Sequence, residues 1–384
     1  MHQLTHGDIK SATDRIAGRV RPVALTPMDP GAIRTTHQGP LDDRARQSGE
    51  VWLALEFMQH TGSFKARGAQ NFVQAHREAG TLPEAGVTIA SGGNAGLACA
   101  WAAQQQGVRA TVFLPTTAPA VKVARLRGYG AEVRLIGTEY AEALAACEEF
   151  TAATGALASH AYDHPLIAAG AGTLLEEIHQ RIPGLDTVVV AVGGGGLFAG
   201  VATAARHHGI RTVAVEPENC RALNAALEAG RPVDVTVDSI AADSLGARRT
   251  SAMALHAARQ DGVRSVLVPD AEIVRARRSL WDQRRIAAEH GAATALAALT
   301  APIGRADRHV PDRGAPDQDL SEQNPYEQNP YEQNLSDRGP ADRGPADRPA
   351  TAGYGYRPGV GEKVCVVVCG ANTDVTTLVA PPGN

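Results

Sequence analysis

His60-Thr61-Gly62-Ser63-Phe64-Lys65-Ala66-Arg67-Gly68-Ala69 is the stretch whose reading decides the fold of this chain. A single lysine follows a small polar residue and precedes a run with helical character. Ser63 reads as the N-cap, which puts Lys65 in the first helical turn. A helix N-terminus carries partial positive charge and disfavours an ammonium there. Such a lysine ionises less readily and is the better amine nucleophile. The plain alternative is an exposed lysine on an amphipathic helix. Two further segments tip the balance.

The first is Ser91-Gly92-Gly93-Asn94-Ala95-Gly96, directly after the apolar run Val87-Thr88-Ile89-Ala90 and before the helical Leu97-Ala98-Cys99-Ala100-Trp101-Ala102-Ala103. Strand, glycine turn and helix start bring backbone amides together at one spot suited to a carboxylate. The second is Gly193-Gly194-Gly195-Gly196-Leu197-Phe198 after Val188-Val189-Val190-Ala191-Val192. Four consecutive glycines between a buried strand and a helix let the backbone approach a phosphate closely. The spacing is neither a dinucleotide fingerprint nor a P-loop, so a smaller phosphate fits better.

Together these segments resemble the fold-type II pyridoxal-phosphate enzymes, within them the serine/threonine dehydratase (ammonia-lyase) group. A fourth match is Val366-Val367-Val368-Cys369-Gly370-Ala371-Asn372. The resemblance runs from about residue 10 to 304 and resumes near 360. It implies an α/β fold with two lobes, each a mainly parallel twisted sheet flanked by helices. The large lobe would comprise 1–58 and 161–384, and the small lobe 59–160, with pyridoxal 5'-phosphate in the cleft between them. It implies that Lys65 carries the cofactor and takes a proton from substrate Cα, with Phe64 beside it. Gly193, Gly194, Gly195, Gly196 and Leu197 would hold the phosphate, and Cys369 would face the pyridine nitrogen. Ser91, Gly92, Asn94 and Ala95 would hold the substrate carboxylate, Asn94 also touching the cofactor. Glu289 matches a position near the pyridine edge, although His290 replaces the family's proline. Glu216 and the Cys220 carbonyl match a cation loop for a monovalent ion or Mg2+, with Ala222 where a ligand oxygen often stands. Asp243 and Ser244 could line the cleft, and Arg67 would brace the lysine segment.

The activity implied is β-elimination from L-threonine or L-serine, giving a 2-oxo acid and ammonia. A neutral thiol at the ring nitrogen does not favour a long-lived carbanion, which suits elimination. Serine racemases carry a serine at position 92, where this chain has glycine, so one-sided chemistry is expected. Ala95 replaces the histidine of many threonine dehydratases and resembles the serine dehydratases. The alternatives are a hydroxyaspartate dehydratase, an amino-acid racemase, a β-replacement synthase, or a non-catalytic binding protein on the same scaffold. The resemblance also implies a homodimer. No second regulatory domain is expected after Asn384, and so no feedback control through one.

Composition agrees with this reading. The chain has 384 residues, 43% of them hydrophobic, with 40 glycines and net charge −4. That suffices for a large core in two lobes and gives no reason to expect nucleic-acid or membrane partners. No apolar run approaches the roughly 18 residues of a membrane span, and the N-terminus lacks a signal-peptide core. Cys99, Cys147, Cys220, Cys365 and Cys369 form no disulfide framework; a cytoplasmic protein with free thiols is expected, Cys365 and Cys369 sharing one face of a strand. Strands are expected at 51–56, 87–90, 110–114, 132–136, 187–192, 212–215, 265–268 and 363–368. Helices are expected at 120–128, 139–151 and 271–301, the last broken near Gly291. Alternation of this kind makes parallel sheets with helices on both faces. Residues 305–357 are polar and carry the repeats Glu-Gln-Asn-Pro-Tyr and Asp-Arg-Gly-Pro-Ala. They read as a disordered insertion, with Tyr326, Tyr331, Tyr354 and Tyr356 as its large side chains. His207-His208 reads as a dipole-paired helix end rather than metal ligands.

Overall fold

The computed structural model describes residues 3–33, 49–301 and 353–379. Its strands are β1 (Leu25–Pro27), β2 (Glu50–Ala54), β3 (Val87–Ile89), β4 (Ala110–Leu114), β5 (Glu132–Leu135), β6 (Leu157–Ala158), β7 (Thr187–Ala191), β8 (Arg211–Pro217), β9 (Val263–Val268), β10 (Gly353–Tyr354) and β11 (Lys363–Val367). They form a seven-stranded sheet in the order β1-β2-β11-β7-β8-β9-β10 and a four-stranded sheet in the order β5-β4-β3-β6. Every pairing but β1 with β2 is parallel. Parallel strands need covered faces, and β4 and β7 are buried at every residue.

Helices supply that cover: α1 (His6–Ile16), α2 (Lys65–Glu78), α3 (Asn94–Gln105), α4 (Ala120–Gly128), α5 (Tyr140–Thr154), α6 (Pro165–Arg181), α7 (Gly196–His207), α8 (Ala222–Ala229), α9 (Ala242–Leu245), α10 (Ala252–Ala258), α11 (Asp270–Arg284), α12 (His290–Thr300) and α13 (Thr376–Val379). One core gathers β2, β7, β8, β9 and β11 with α6, α7, α11 and α12. A second gathers β3 and β4 with α2, α3 and α4. No described helix is long and apolar enough to cross a membrane.

The structure corrects the sequence reading in several places. The expected helix over 271–301 is two helices, broken at 285–289 and not at Gly291. Arg285 turns left-handed at φ 57°, and α11 ends there. Strand β8 runs on to Pro217, so Glu216 lies inside it. Most of the segment 305–357 lies outside the described residues, but 353–357 belong to the fold. β10 pairs with β9. Tyr356 is only 8% exposed; its amide donates to Ala298 O at 2.7 Å and its hydroxyl to Glu362 Oε1 at 2.5 Å. A tyrosine in a polar stretch looks like loop until tertiary packing gives its ring a core and its hydroxyl an acceptor.

Candidate active site

The lysine segment is stitched to the end of β11. Ser63 and Gly370 form an antiparallel bridge. The Phe64 amide donates to Cys369 O at 3.0 Å, and the Ala371 amide to Gly62 O at 3.0 Å. Ser63 is therefore not the N-cap: it is extended (φ −160°, ψ 161°), Phe64 takes that place without a side-chain bond, and Lys65 is the first helical residue. These backbone bonds bring Lys65 beside Cys369, residues from opposite ends of the chain.

A cavity of about 580 Å³ opens between the two sheets. It collects the turns at the C-terminal ends of β3, β7 and β11, where parallel α/β sheets place ligands. Phe64, Lys65, Ser91, Asn94, Ala95, Gly193, Gly194, Gly195, Gly196, Leu197, Glu289 and Cys369 all line it, as do Asp243 and Ser244. Gly92 does not: it borders a smaller adjoining cavity with Lys122, Arg125 and Asn372. A Cβ at Gly92 would sit 2.9 Å from Leu114 Cδ2.

Lys65 Nζ donates to Ala161 O at 2.6 Å. Burial pushes its pKa down to about 8, and the Cys369 thiol and Glu289 pull partly the other way. Desolvation is thus the cause, where the sequence reading had invoked the helix dipole. The segment behind Lys65 is held by Arg67, which is fully buried. Arg67 donates to both Glu56 oxygens at 2.6 and 3.1 Å and to Glu177 Oε1 at 2.6 Å. Cys369 is 7% exposed, and burial raises its thiol to about 12, so it is neutral. It lies two residues beyond β11, not on the strand with Cys365.

The glycine turn is shaped by its neighbours. Gly195 caps α7 in the left-handed region at φ 93°, a conformation that side chains other than glycine rarely take. A Cβ at Gly194 would collide with the Tyr162 ring. The Gly194 carbonyl accepts from the Ser251 amide at 3.0 Å, which fixes the turn. The amides of Gly195, Gly196 and Leu197 donate to no group among the described residues. They are the orphan donors of a helix start, a ready anion site.

Opposite, Asn94 opens α3. Its Nδ2 donates to Glu289 Oε1 and Oε2 at 3.1 and 3.0 Å. Glu289 also accepts the Asn372 amide at 2.7 Å. Asn372 Nδ2 donates to Asn94 Oδ1 at 2.6 Å and to Thr61 O at 2.7 Å. Burial raises the Glu289 carboxyl above its ordinary value, against these donors. The sequence reading quoted Asn372 in its motif but gave it no role; its bonds to Asn94 and Glu289 show that it ties three segments of the site. Tyr162 and Ala161 were missed altogether, and nothing local marks them, since they matter only through Gly194 and Lys65.

Glu216 and Cys220 stand apart from the cavity. Glu216 is fully buried, and its oxygens accept the Leu223 and Asn224 amides at 2.7 and 2.8 Å. It caps α8, and burial raises its pKa to about 8. The Cys220 thiol donates to Leu245 O at 3.1 Å. All five cysteines are free and buried.

This donor set fits pyridoxal phosphate. A desolvated lysine, unpaired amides on a turn where side chains would collide, and a neutral thiol share one cavity of suitable size. The comparisons agree. Residues 32–313 match the family model described as "Pyridoxal-phosphate dependent enzyme". The chain is 36% identical over 294 residues to the L-threonine ammonia-lyase of Geobacter sulfurreducens, covering 76% of this chain and 69% of that one. It is 38% identical over 259 residues to the serine dehydratase-like protein of Mus musculus, covering 66% and 77%. Among solved structures, maize serine racemase superposes with TM-score 0.74 at 24% identity, covering 98% of this chain and 96% of that one, a likeness of fold. Serine racemase from Dictyostelium discoideum superposes with TM-score 0.65 at 28% identity, covering 77% and 91%. The chain belongs to the pyridoxal-phosphate-dependent enzyme family, as a fold-type II lyase whose cofactor is pyridoxal 5'-phosphate.

Proposed function

We propose that this lyase removes the β-hydroxyl of L-threonine or L-serine, giving the 2-oxo acid and ammonia. Bound pyridoxal phosphate supplies the electron sink. Lys65 holds it and its amine takes the Cα proton; a pKa of about 8 leaves an appreciable neutral fraction near neutral pH. The amides of Gly195, Gly196 and Leu197 bind the phosphate. Ser91, Asn94 and the start of α3 orient the substrate carboxylate, with Glu289 and Asn372 fixing Asn94. Cys369 would face the ring nitrogen and, as a neutral thiol, would offer it no charge. The resemblance places a small lobe at 59–160 against the rest of the chain, and closure of the cleft between them would exclude water from Lys65.

The observation that supports elimination over racemisation is position 92, a glycine that borders the adjoining cavity beside Leu114 and puts no side chain into the cofactor cavity. Racemisation needs an acid or base on both faces of the substrate carbon, and Gly92 has no side chain to offer. The names of the two relatives support the same choice. The test is a panel of L- and D-hydroxy-amino acids assayed for 2-oxo acid, ammonia and inverted amino acid. L-Threonine or L-serine should give 2-oxo acid with little D-isomer. Wild-type protein that makes D-serine as fast as pyruvate would sink the reading.

A further inference from the structure

We propose that His6, Glu176 and His208 bind a divalent late transition-metal ion of the zinc class, remote from the cofactor cavity. The three residues converge from separate helices. His6 opens α1, Glu176 lies within α6 and His208 is the C-cap of α7. His6 Nε2 is 3.1 Å from Glu176 Oε1, and His208 Nε2 is 3.1 Å from both Glu176 oxygens. One donor atom from each falls within 4.8 Å of the others. Zinc bonds of about 2.0–2.1 Å in a tetrahedron set ligand atoms about 3.3–3.4 Å apart. Each histidine nitrogen stands about that far from the Glu176 carboxylate.

Two imidazoles and one carboxylate suit zinc, nickel, cobalt or copper, not the oxygen-seeking Mg2+ or Ca2+. Side-chain exposures of 24% for His6, 15% for Glu176 and 18% for His208 leave an entry path and room for water as the remaining ligand. Both ligand rings are held in place. The His207 ring stacks on His6 at 3.6 Å and the His179 ring on His208 at 4.1 Å. His179 follows Glu176 by three residues on α6, and its Nδ1 is buried without a hydrogen-bond partner among the described residues. The sequence reading had assigned the 207–208 pair to the helix dipole; it could not see that α1 and α6 bring a third and fourth imidazole and a carboxylate to the same point.

The site would pin α1. At its other end Arg15 donates to Asn71 Oδ1 at 2.7 Å and to Glu78 Oε2 at 2.8 Å, both on the helix that begins with Lys65. An ion bound by the folded state alone stabilises it by mass action. The test uses cofactor-loaded protein stripped with a chelator and then titrated with ZnCl2, by calorimetry and by thermal unfolding. Wild type should bind one equivalent and gain thermal stability. His6→Ala and His208→Ala should each weaken binding at least tenfold and lose the thermal gain, with turnover unchanged. His256→Ala, on α10, should bind as wild type does. A second measurement needs no variant: Co2+ bound to wild type should show the visible bands of a low-coordinate nitrogen–oxygen site and be displaced by one equivalent of Zn2+. Absence of saturable binding by wild type, or one-to-one binding retained in the His6→Ala/His208→Ala double variant, overturns the proposal.

Discussion

Replacing Arg67 by Met removes the cation that holds the lysine helix from behind. Arg67 is fully buried, and Glu56 beside it is 1% exposed. The pair is bidentate, while Glu177 keeps 25% side-chain exposure and can turn to water. The cost therefore falls on Glu56. Removing one partner of a buried ion pair costs about 3–5 kcal/mol. Protonation limits that cost. Starting from an ordinary value of 4.5, neutralising a carboxyl at pH 7 takes about 3.4 kcal/mol, at 1.36 kcal/mol per pH unit. Burial already raises Glu56 above that value, with Arg67 pulling it down; the variant loses the pull, so its Glu56 rises further. Between the unfolded and the folded pKa, the folded variant holds a proton that the unfolded chain has released. Its stability then falls as pH rises through that window, and the deficit against wild type narrows as pH drops from the variant's folded value toward wild type's. Urea unfolding at equal cofactor loading should show Arg67→Met less stable than wild type by about 3 kcal/mol at pH 7.5. The deficit should be smaller at pH 5.5 than at pH 7.5. Glu56→Met added to Arg67→Met should recover part of the loss. A deficit independent of pH, or one below about 1 kcal/mol at pH 7.5, would refute the assignment of the cost to a stranded Glu56.

Further outcomes follow from the same geometry. Capture of pyridoxal phosphate by the apoprotein, followed by visible absorbance, should quicken as pH rises through about 8 and not through the ordinary lysine range; borohydride reduction should leave the adduct on Lys65, and one on Lys122 or Lys363 would contradict the site. Gly194→Ala drives a methyl into the Tyr162 ring, so cofactor affinity should fall at least tenfold, on the order of 1.4 kcal/mol, and Tyr162→Ala should restore part of it; unchanged affinity would mean the turn is not the phosphate site. Replacing residues 305–352 by a short Gly/Ser linker while keeping 353–357 should preserve kcat/KM and thermal midpoint, since closure cost varies slowly with length. Extending the deletion through Tyr356 should lower the midpoint, because its ring and its bond to Glu362 belong to the core.

The sequence by itself determined the chemistry-bearing turns. The Ser91–Gly96 turn and the four glycines each join a strand to a helix, Lys65 opens α2 and Cys369 follows β11, and residues of all four reach one cavity. Alternating apolar runs and glycine turns fixed the parallel α/β class, because strand and helix periods are local properties. Tertiary structure decided what depends on distant partners. The depressed pKa of Lys65 comes from burial, which outweighs the opposing pull of Cys369 and Glu289, and not from its helix. Ser63 gave up its cap because an antiparallel bridge to Gly370 took the backbone there. Glu216, legible as a strand-end carboxylate, became a helix cap because α8 starts against it. Tyr356 left the polar segment for the core because β9 and α12 had a place for it. Long-range contacts are paid for by burial of the whole fold, so no stretch of ten residues carries them, and the convergence of His6, Glu176 and His208 exists only once α1, α6 and α7 have packed.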